Sequence, residues 1–321
     1  MAVSATKNRQ APETLERMVK KCFGEETGIL TLRDLEDGFC NMAYALTLSN
    51  GLSVICKISP KEKSRLLRVE VELMEAETRA MQLVRKQTNL PVAEVYAYDR
   101  SCQVCSSPYF FMQALTGNGL HKEKAALPPA VLEGIYWEVG QMERQICTIC
   151  HDTFGFVGDT RQFADWFSAF STMMADLLQD AREKSIDLTV PYEDILHLLA
   201  QEKALFDEVD TPRLVHWDLW DGNIFVRDGH VSGLIDWERA LWGDPLMDDR
   251  FRRHERNEAF LAGFGKQQLS PGEYRRILWY DVFLYAVMMT EGAYRGYADD
   301  SQYQAVRPLF GASFRELQGE K

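Results

Sequence analysis

The feature that most constrains the fold of this chain is one short polar segment. His216, Asp218 and Asn223 follow the pattern H-x-D-x-x-x-x-N, and Asp236 lies 18 residues after Asp218. The five-residue step from Asp218 to Asn223 permits a tight loop, and an Asp228-Gly229 turn allows a hairpin to return Asp236 to the same place. The segment therefore predicts that two carboxylates and an amide meet at one site.

Phosphoryl transfer uses this set of groups. Asp218 is predicted to accept the proton of an attacking hydroxyl, while Asn223 and Asp236 hold Mg²⁺ on the phosphates of ATP. His216 is predicted to orient the loop through backbone bonds rather than to carry a proton. Residues 37–41, which include one glycine, are a weak candidate for a loop that covers the phosphates. ATP and Mg²⁺ are therefore the predicted cofactors.

One lysine stands in an apolar strand pattern. Lys57 follows an Asn50-Gly51 turn of the kind that joins the strands of a hairpin. A buried lysine is costly unless it is paired, so we predict a phosphate-binding lysine held by a glutamate of the next helix. Glu77, counted back from Pro91, is the favoured partner and Glu75 is the alternative. Taken alone, Lys57 also fits an edge strand that reaches solvent.

The order of the predicted elements indicates an α+β fold in two lobes. The first third contains a helix over residues 12–22, a long helix over residues 61–86, and strands near residues 42–48, 54–58, 92–98 and 109–115. Helices then dominate over residues 128–150, 163–184, 192–208 and 274–295, with a β-like region over residues 214–237. We place the boundary so that residues 1–116 form a small β-rich lobe and residues 117–321 a larger helical lobe.

Composition excludes several classes of protein. The 36 Lys+Arg and 48 Asp+Glu give a net charge of −12, which argues against a nucleic-acid partner. We expect no membrane partner and no secretion signal, hence a cytoplasmic protein with reduced thiols and a loose stretch over the first ten residues. The Cys102/Cys105 and Cys147/Cys150 pairs are separated by 41 residues, which is too many for a compact zinc ribbon.

At these residues the chain resembles the aminoglycoside phosphotransferase-like enzymes, the small-molecule branch of the protein-kinase-like superfamily. The similarity extends from the hairpin with Lys57 to Asp244-Pro245. Trp217 is a departure, because relatives often have glycine there. Asp236 is followed by Trp-Glu rather than Phe-Gly, and no A-P-E segment follows at the expected distance. Both features favour a small-molecule acceptor over a protein acceptor.

The resemblance implies a bilobal protein-kinase-like fold in which ATP lies between the lobes. It assigns phosphate binding to Lys57, held by Glu77, and proton acceptance to Asp218. The backbone from Gln113 to Leu115 would form the hinge that meets the adenine. The two magnesium ligands would be those already named from the spacing, Asn223 and Asp236.

The predicted reaction moves the γ-phosphate of ATP to a hydroxyl of a small molecule. The acceptor stays open among an aminoglycoside, another sugar or amino sugar, a choline-like and a homoserine-like metabolite. A nucleotide-binding pseudokinase that serves as an interaction module is a second class of function, and a protein kinase is a third. The complete set of Lys57, Asp218, Asn223 and Asp236 argues against the pseudokinase.

The acceptor is predicted to bind on the helical lobe, chiefly on segments after Asp236. Carboxylates beside aromatic rings suit a hydroxylated or cationic small molecule. Taken one at a time, most of these side chains fit surface charges or core aromatics equally well. The candidates are Glu238, Asp244, Asp248, Asp249, Asp281, Glu291, Trp279, Tyr280 and Tyr285.

Overall fold

The N-terminal lobe is built on five antiparallel strands that lie in the order β1-β2-β3-β5-β4. Their bounds are Ile29–Leu35 for β1, Met42–Leu48 for β2, Ser53–Ile58 for β3, Val95–Asp99 for β4 and Tyr109–Gln113 for β5. The computed structural model describes residues 6–35, 40–70, 72–254 and 256–319 of the 321. Residues 36–39 therefore lie outside the described residues, and the predicted phosphate-covering loop 37–41 is described only at Cys40 and Asn41.

The β2–β3 hairpin places Lys57 in the middle of this sheet. The predicted Asn50-Gly51 turn joins the two strands, and Gly51 has a positive φ of 88° that glycine adopts without strain. Lys57 lies opposite Ala43 of β2 on one side and Phe110 of β5 on the other. Its strand is central, so the edge-strand interpretation of this lysine is wrong.

Two helices belong to this lobe. The first, α1 (Pro12–Phe23), buries Leu15, Met18 and Val19 in an apolar cluster with β2, β3 and β5. It confirms the helix predicted over residues 12–22. The second, α2 (Leu73–Gln87), belongs to a separate, larger apolar cluster that continues into the helical lobe.

The long helix predicted over residues 61–86 is wrong in its first half. A single 3₁₀ turn spans Lys63–Arg65, and α2 begins only at Leu73, after Glu72 in the left-handed region with φ 45°. The Glu70 carboxylate accepts the Leu67 amide at 3.0 Å. A side chain that binds a backbone amide in this way competes with helical hydrogen bonding, so the segment forms a connection rather than a turn of helix.

The C-terminal lobe is mostly helical, as predicted. Its helices are α3 (Leu120–Glu123), α4 (Pro129–Ile146), α5 (Trp166–Glu183), α6 (Tyr192–Gln201), α7 (Lys203–Phe206), α8 (Glu258–Phe264), α9 (Pro271–Arg295) and α10 (Ser301–Leu317). The single helix predicted over residues 192–208 is two, because the backbone leaves helical geometry at Glu202. No helix in the described ranges is long and apolar enough to cross a membrane.

Short strands carry the motif segment in this lobe. One sheet contains β6 (Asn118–Gly119), β9 (Ile224–Arg227) and β10 (His230–Leu234), and the other contains β7 (Gly155–Phe156), β8 (Arg213–Val215) and β11 (Leu241–Gly243). The β-like region predicted over residues 214–237 thus consists of β8, a loop, and the hairpin of β9 and β10. β6 pairs with β9, so residues 118–119 join a sheet of the C-terminal lobe.

Helices α4 and α8 meet at two glycines. A Cβ on Gly140 would lie 2.2 Å from the Phe260 carbonyl oxygen, and one on Gly263 would lie 2.1 Å from the Trp137 carbonyl oxygen. Side chains at these positions would overlap the neighbouring backbone. The two helices therefore pack backbone to backbone.

Candidate active site

Lys57 connects the two lobes at the centre of the candidate active site. Its ammonium Nζ lies 2.6 Å from Glu77 Oε1 and 2.5 Å from Asp236 Oδ1. Burial alone would lower the pKa of Lys57, but the charges of Asp236 and Glu77 outweigh burial and raise that pKa above its usual value. Glu75 instead pairs with the exposed Arg100. The choice of Glu77 over Glu75 as the partner of Lys57 is confirmed.

The loop that carries Asp218 is held by hydrogen bonds on both sides. His216 is buried; its Nε2 donates to the Ile235 carbonyl at 2.9 Å, and its Nδ1 accepts the Asp218 amide at 3.3 Å. Burial lowers the pKa of His216 to about 4, so the imidazole is neutral at pH 7. Asn223 Nδ2 donates to the Asp218 carbonyl at 2.7 Å and to its Oδ2 at 3.2 Å. These bonds confirm that His216 orients the loop.

The Asp218 carboxylate suits proton acceptance near neutral pH. Burial raises the pKa of Asp218 to about 7, against the opposing charge of Arg239 and with a contribution from Asp236. A general base works best when its pKa lies near the working pH. The Ile235 amide donates to the Asn223 carbonyl at 3.0 Å, which brings the following residue, Asp236, alongside the loop.

Trp217 occupies the position where glycine is common in the resembling enzymes. Its φ is 68°, in the left-handed region that glycine adopts most easily. The Trp217 amide donates to Asp248 Oδ2 at 3.0 Å, and its buried indole packs on Phe283 with ring centroids 5.6 Å apart. The tryptophan is therefore tolerated because its backbone and its side chain are both anchored. Asp248, a predicted acceptor carboxylate, is part of that anchor instead.

Three carboxylates form a cluster beside Lys57. One oxygen each from Glu77, Asp236 and Glu238 lies within 4.8 Å of the other two. Burial raises the pKa of Glu77 to about 7 and that of Glu238 to about 8, because one lysine cannot offset three carboxylates. Among the described residues, the buried oxygens Glu77 Oε2 and Asn41 Oδ1 have no hydrogen-bond partner. Magnesium prefers oxygen ligands of these types, so the residues present fit the ion.

Three other predicted acceptor residues, Asp244, Tyr280 and Glu291, bind other side chains of the lobe. Asp244 accepts hydrogen bonds from Arg276 Nε and from the Tyr280 hydroxyl, both at 2.8 Å. Glu291 pairs with Arg239 at 2.9 Å. Most of α9 is buried, so its carboxylates are not exposed surface charges, but both Asp281 carboxylate oxygens have no hydrogen-bond partner among the described residues. Binding of the acceptor by these residues stays a prediction. The remaining candidates are buried as well: Asp249, Asp281, Trp279 and Tyr285.

A buried ion pair between Asp221 and Arg250 anchors the loop that carries Asp218. Asp221 accepts hydrogen bonds from Arg250 Nη2 and from Lys124 Nζ, both at 2.6 Å. Arg250 Nε also donates to the Leu219 carbonyl at 2.7 Å. Asp221 lies inside the H-x-D-x-x-x-x-N motif, so the sequence marks it as a candidate anchor of the loop. The sequence does not identify its partners, Arg250 and Lys124.

The predicted hinge follows β5 directly. The Gln113 amide donates to the Glu94 carbonyl at 2.8 Å, and the Ala114 amide donates to β3. Leu115 packs on β10 so closely that a Cβ on Gly233 would lie 2.3 Å from Leu115 Cδ1. The connection between the lobes is therefore fixed at both ends. Adenine binding by Gln113 and Leu115 stays a prediction.

A strand lysine held by a helix glutamate, together with an H-x-D-x-x-x-x-N loop and a following aspartate, defines a protein-kinase-like phosphotransferase. The model of the phosphotransferase enzyme family matches residues 31–279, and the chain belongs to that family. The protein is a small-molecule kinase, as predicted. No curated protein matches the chain.

Solved structures share the fold at low sequence identity. A candidate fructosamine-3-kinase from Thermobifida fusca is 15% identical, covers 94% of this chain and 98% of its own, and has a TM-score of 0.68. A thermostable variant of aminoglycoside phosphotransferase APH(4)-Ia with AMP-PNP and hygromycin B is 18% identical over 94% and 98%, with a TM-score of 0.64. The streptomycin–ATP complex of APH(2")-IIa is 16% identical over 98% of both chains, with a TM-score of 0.61. The predicted bilobal α+β fold is confirmed.

Proposed function

We propose that this protein transfers the γ-phosphate of ATP to a hydroxyl of a small polyhydroxylated acceptor that carries amino groups. One observation carries the proposal: Lys57 contacts Glu77 and Asp236 together, while Asp218 lies on the adjoining loop with a pKa near neutrality. The similar structures that hold hygromycin B with AMP-PNP, or streptomycin with ATP, support it.

The nucleotide would lie between the lobes. The Gln113 carbonyl and the Leu115 amide meet the adenine, and Lys57 binds the phosphates. Asp236 would hold Mg²⁺ together with Asn223. Because Asn223 Nδ2 donates to the Asp218 carbonyl, its side-chain oxygen would be the atom offered to the ion. Glu238 completes the oxygen-rich wall beside them. The bound ion would neutralise negative charge on the phosphates.

Asp218 has the central role in the chemical step. The acceptor oxygen forms a bond to the γ-phosphorus while the bond from that phosphorus to the β–γ bridging oxygen breaks, and ADP leaves. The hydroxyl proton passes to the Asp218 carboxylate. Because the pKa of Asp218 is about 7, the base becomes available as the pH rises through neutrality. Most of the remaining rate acceleration comes from positioning and charge.

Trp220 is the feature that favours a sugar as the acceptor. It lies two residues after Asp218 and is 37% exposed, although large indoles are usually buried. Its ring contacts His121 with centroids 5.5 Å apart. An exposed indole offers a flat face on which the apolar side of a sugar ring can stack. Excess negative charge in the cluster of Glu77, Asp236 and Glu238 favours an acceptor that also carries amino groups.

A screen for ADP release tests the proposal. Purified protein with Mg²⁺ and ATP is offered aminoglycosides, amino sugars, glycated amines, choline, homoserine and peptides, with the Asp218→Asn variant as the blank. We expect Asp218-dependent ADP release with neutral or cationic polyols. Trp220→Ala should raise KM for the best acceptor, whereas Trp137→Ala, at another exposed tryptophan, should not. Activity with anionic metabolites or peptides alone would overturn the proposal.

The proposed location is the cytoplasm. ATP is supplied there, and all seven cysteines are free thiols in the structure, as is usual in reducing compartments. Cell fractionation with an antibody against the protein tests this placement, and recovery in an extracellular fraction would contradict it.

A further inference from the structure

Residues 6–10 are bound to the N-terminal lobe by hydrogen bonds, although the sequence predicts a loose segment there. Thr6 is buried, and its Oγ1 donates to the Cys40 carbonyl at 2.8 Å. Asn8 Nδ2 donates to the Ser59 carbonyl at 3.1 Å and to Ser107 Oγ at 2.9 Å. The expectation of a loose segment is wrong for these residues, because their partners lie 34 to 99 positions away and leave no local sequence pattern.

This segment carries Lys7 to the edge of the carboxylate cluster. Lys7 is half-buried, and its Nζ donates to the Asn41 carbonyl at 2.8 Å. Asn41 in turn donates from Nδ2 to Glu238 Oε2. Glu238 shares its cluster with Asp236, the predicted magnesium ligand. Lys7 is therefore connected to the phosphate end of the nucleotide site through a single residue.

The ammonium of Lys7 has N–H donors that are not used by its described hydrogen bond. Its described hydrogen bond goes to the neutral carbonyl of Asn41 rather than to a carboxylate. Burial lowers the pKa of Lys7, while the charges of Cys40, Asp236 and Glu238 act against that. An ammonium has three N–H donors, so two remain for an anion. Burying a cation that has no charged partner costs free energy. Beside a polyphosphate, the same ammonium would form strong charge-assisted hydrogen bonds.

We propose that Lys7 is a second phosphate-binding lysine of the nucleotide site. Segment 6–10 places it near the end of the site where the γ-phosphate of ATP would bind. The inference rests on the proposed function. Lys57 donates to Glu77 and Asp236, which leaves one of its three N–H donors for the phosphates. A second cation would therefore add charge-assisted bonds at the terminal phosphate. The segment is then part of the active site and not only packing for the sheet.

Calorimetry with three ligands tests this role. Mg²⁺–ATP, Mg²⁺–ADP and adenosine are titrated into the wild type, Lys7→Met and Lys7→Arg. Methionine keeps the apolar stem and removes the charge. We expect Lys7→Met to bind Mg²⁺–ATP about 10- to 100-fold more weakly than the wild type. Its affinity for Mg²⁺–ADP should fall less, and its affinity for adenosine should not change. Lys7→Arg should retain most of the affinity for Mg²⁺–ATP. Lys20→Met, at an exposed lysine on α1, is the matched control and should bind as the wild type does.

Two results would overturn the inference alone. One is unchanged Mg²⁺–ATP affinity in Lys7→Met; the other is an equal loss for ATP and adenosine, which would mean that the segment only holds the lobe in shape. Thermal melting of each variant identifies any loss of folding. If the wild type binds no Mg²⁺–ATP, the proposed function fails, and this inference fails with it.

Discussion

Asp218→Asn should separate catalysis from stability. The variant keeps the shape of the side chain, and Asn223 Nδ2 can donate to the new amide oxygen as it now donates to Asp218 Oδ2. The loop should therefore keep its conformation. Because the amide cannot accept the hydroxyl proton, turnover should fall by about 10²- to 10⁴-fold.

The same change should make the protein more stable. Burial raises the pKa of Asp218 from 3.8 to about 7, about three units at about 1.36 kcal/mol each. A carboxyl whose pKa is raised in the folded state favours folding when protonated. That stability is fully present below about pH 4 and is lost as the pH rises to about 7. The ionised carboxylate thus costs at most about 4 kcal/mol above pH 7, and partial exposure reduces this figure.

Urea unfolding measures the effect without ligands. Wild type and Asp218→Asn are compared at pH 8 and pH 5 in EDTA, in the absence of nucleotide. We expect the variant to be more stable by about 2–4 kcal/mol at pH 8, with less than half that difference at pH 5. A variant that is less stable at pH 8, or a difference that does not change with pH, would refute the assignment of the raised pKa to burial of this charge.

Three further predictions concern other parts of the molecule. Lys57→Met should lower kcat about 100-fold or more in a folded protein, while Lys63→Met, at an exposed lysine, should leave steady-state kinetics unchanged. Glu238→Gln should weaken Mg²⁺-dependent ATP binding about tenfold by calorimetry. Gly140→Ala should lower the free energy of unfolding by about 1–3 kcal/mol, whereas Gly134→Ala, on the open face of the same helix, should raise it by about 0.5–1 kcal/mol in urea titrations.

The centre of the site was predictable because its geometry is local. Asp218, Asn223 and Asp236 lie on one loop and one hairpin, so their spacing alone brings them together. Lys57 follows a hairpin turn that the sequence marks clearly, and Glu77 could be counted back from the end of its helix. In each case a short run of chain determines the contact.

The surroundings of the site were not predictable for the opposite reason. Glu238 meets Asn41 across 197 positions, and Arg250 meets Asp221 across 29, with no pattern in the sequence to pair them. The burial of the carboxylates on α9 was not predictable either, because residue type alone cannot distinguish a helix that is buried on most sides from an exposed one. Glu70 likewise stopped α2 from starting earlier, through a side-chain bond that helix propensity does not record.

The site concentrates buried negative charge, and this excess connects its stability with its chemistry. Burial raises the pKa values of Asp218, Glu77 and Glu238 to about 7 or 8, so each disfavours the folded state once ionised. Cations that enter the cleft would offset this cost, whether a divalent ion or the amino groups of an acceptor. Ligand binding should therefore stabilise the fold by more than its contacts alone provide, and most strongly above pH 7. The buried carboxylates that lower the stability of the fold when ionised are therefore the same groups that attract cationic ligands.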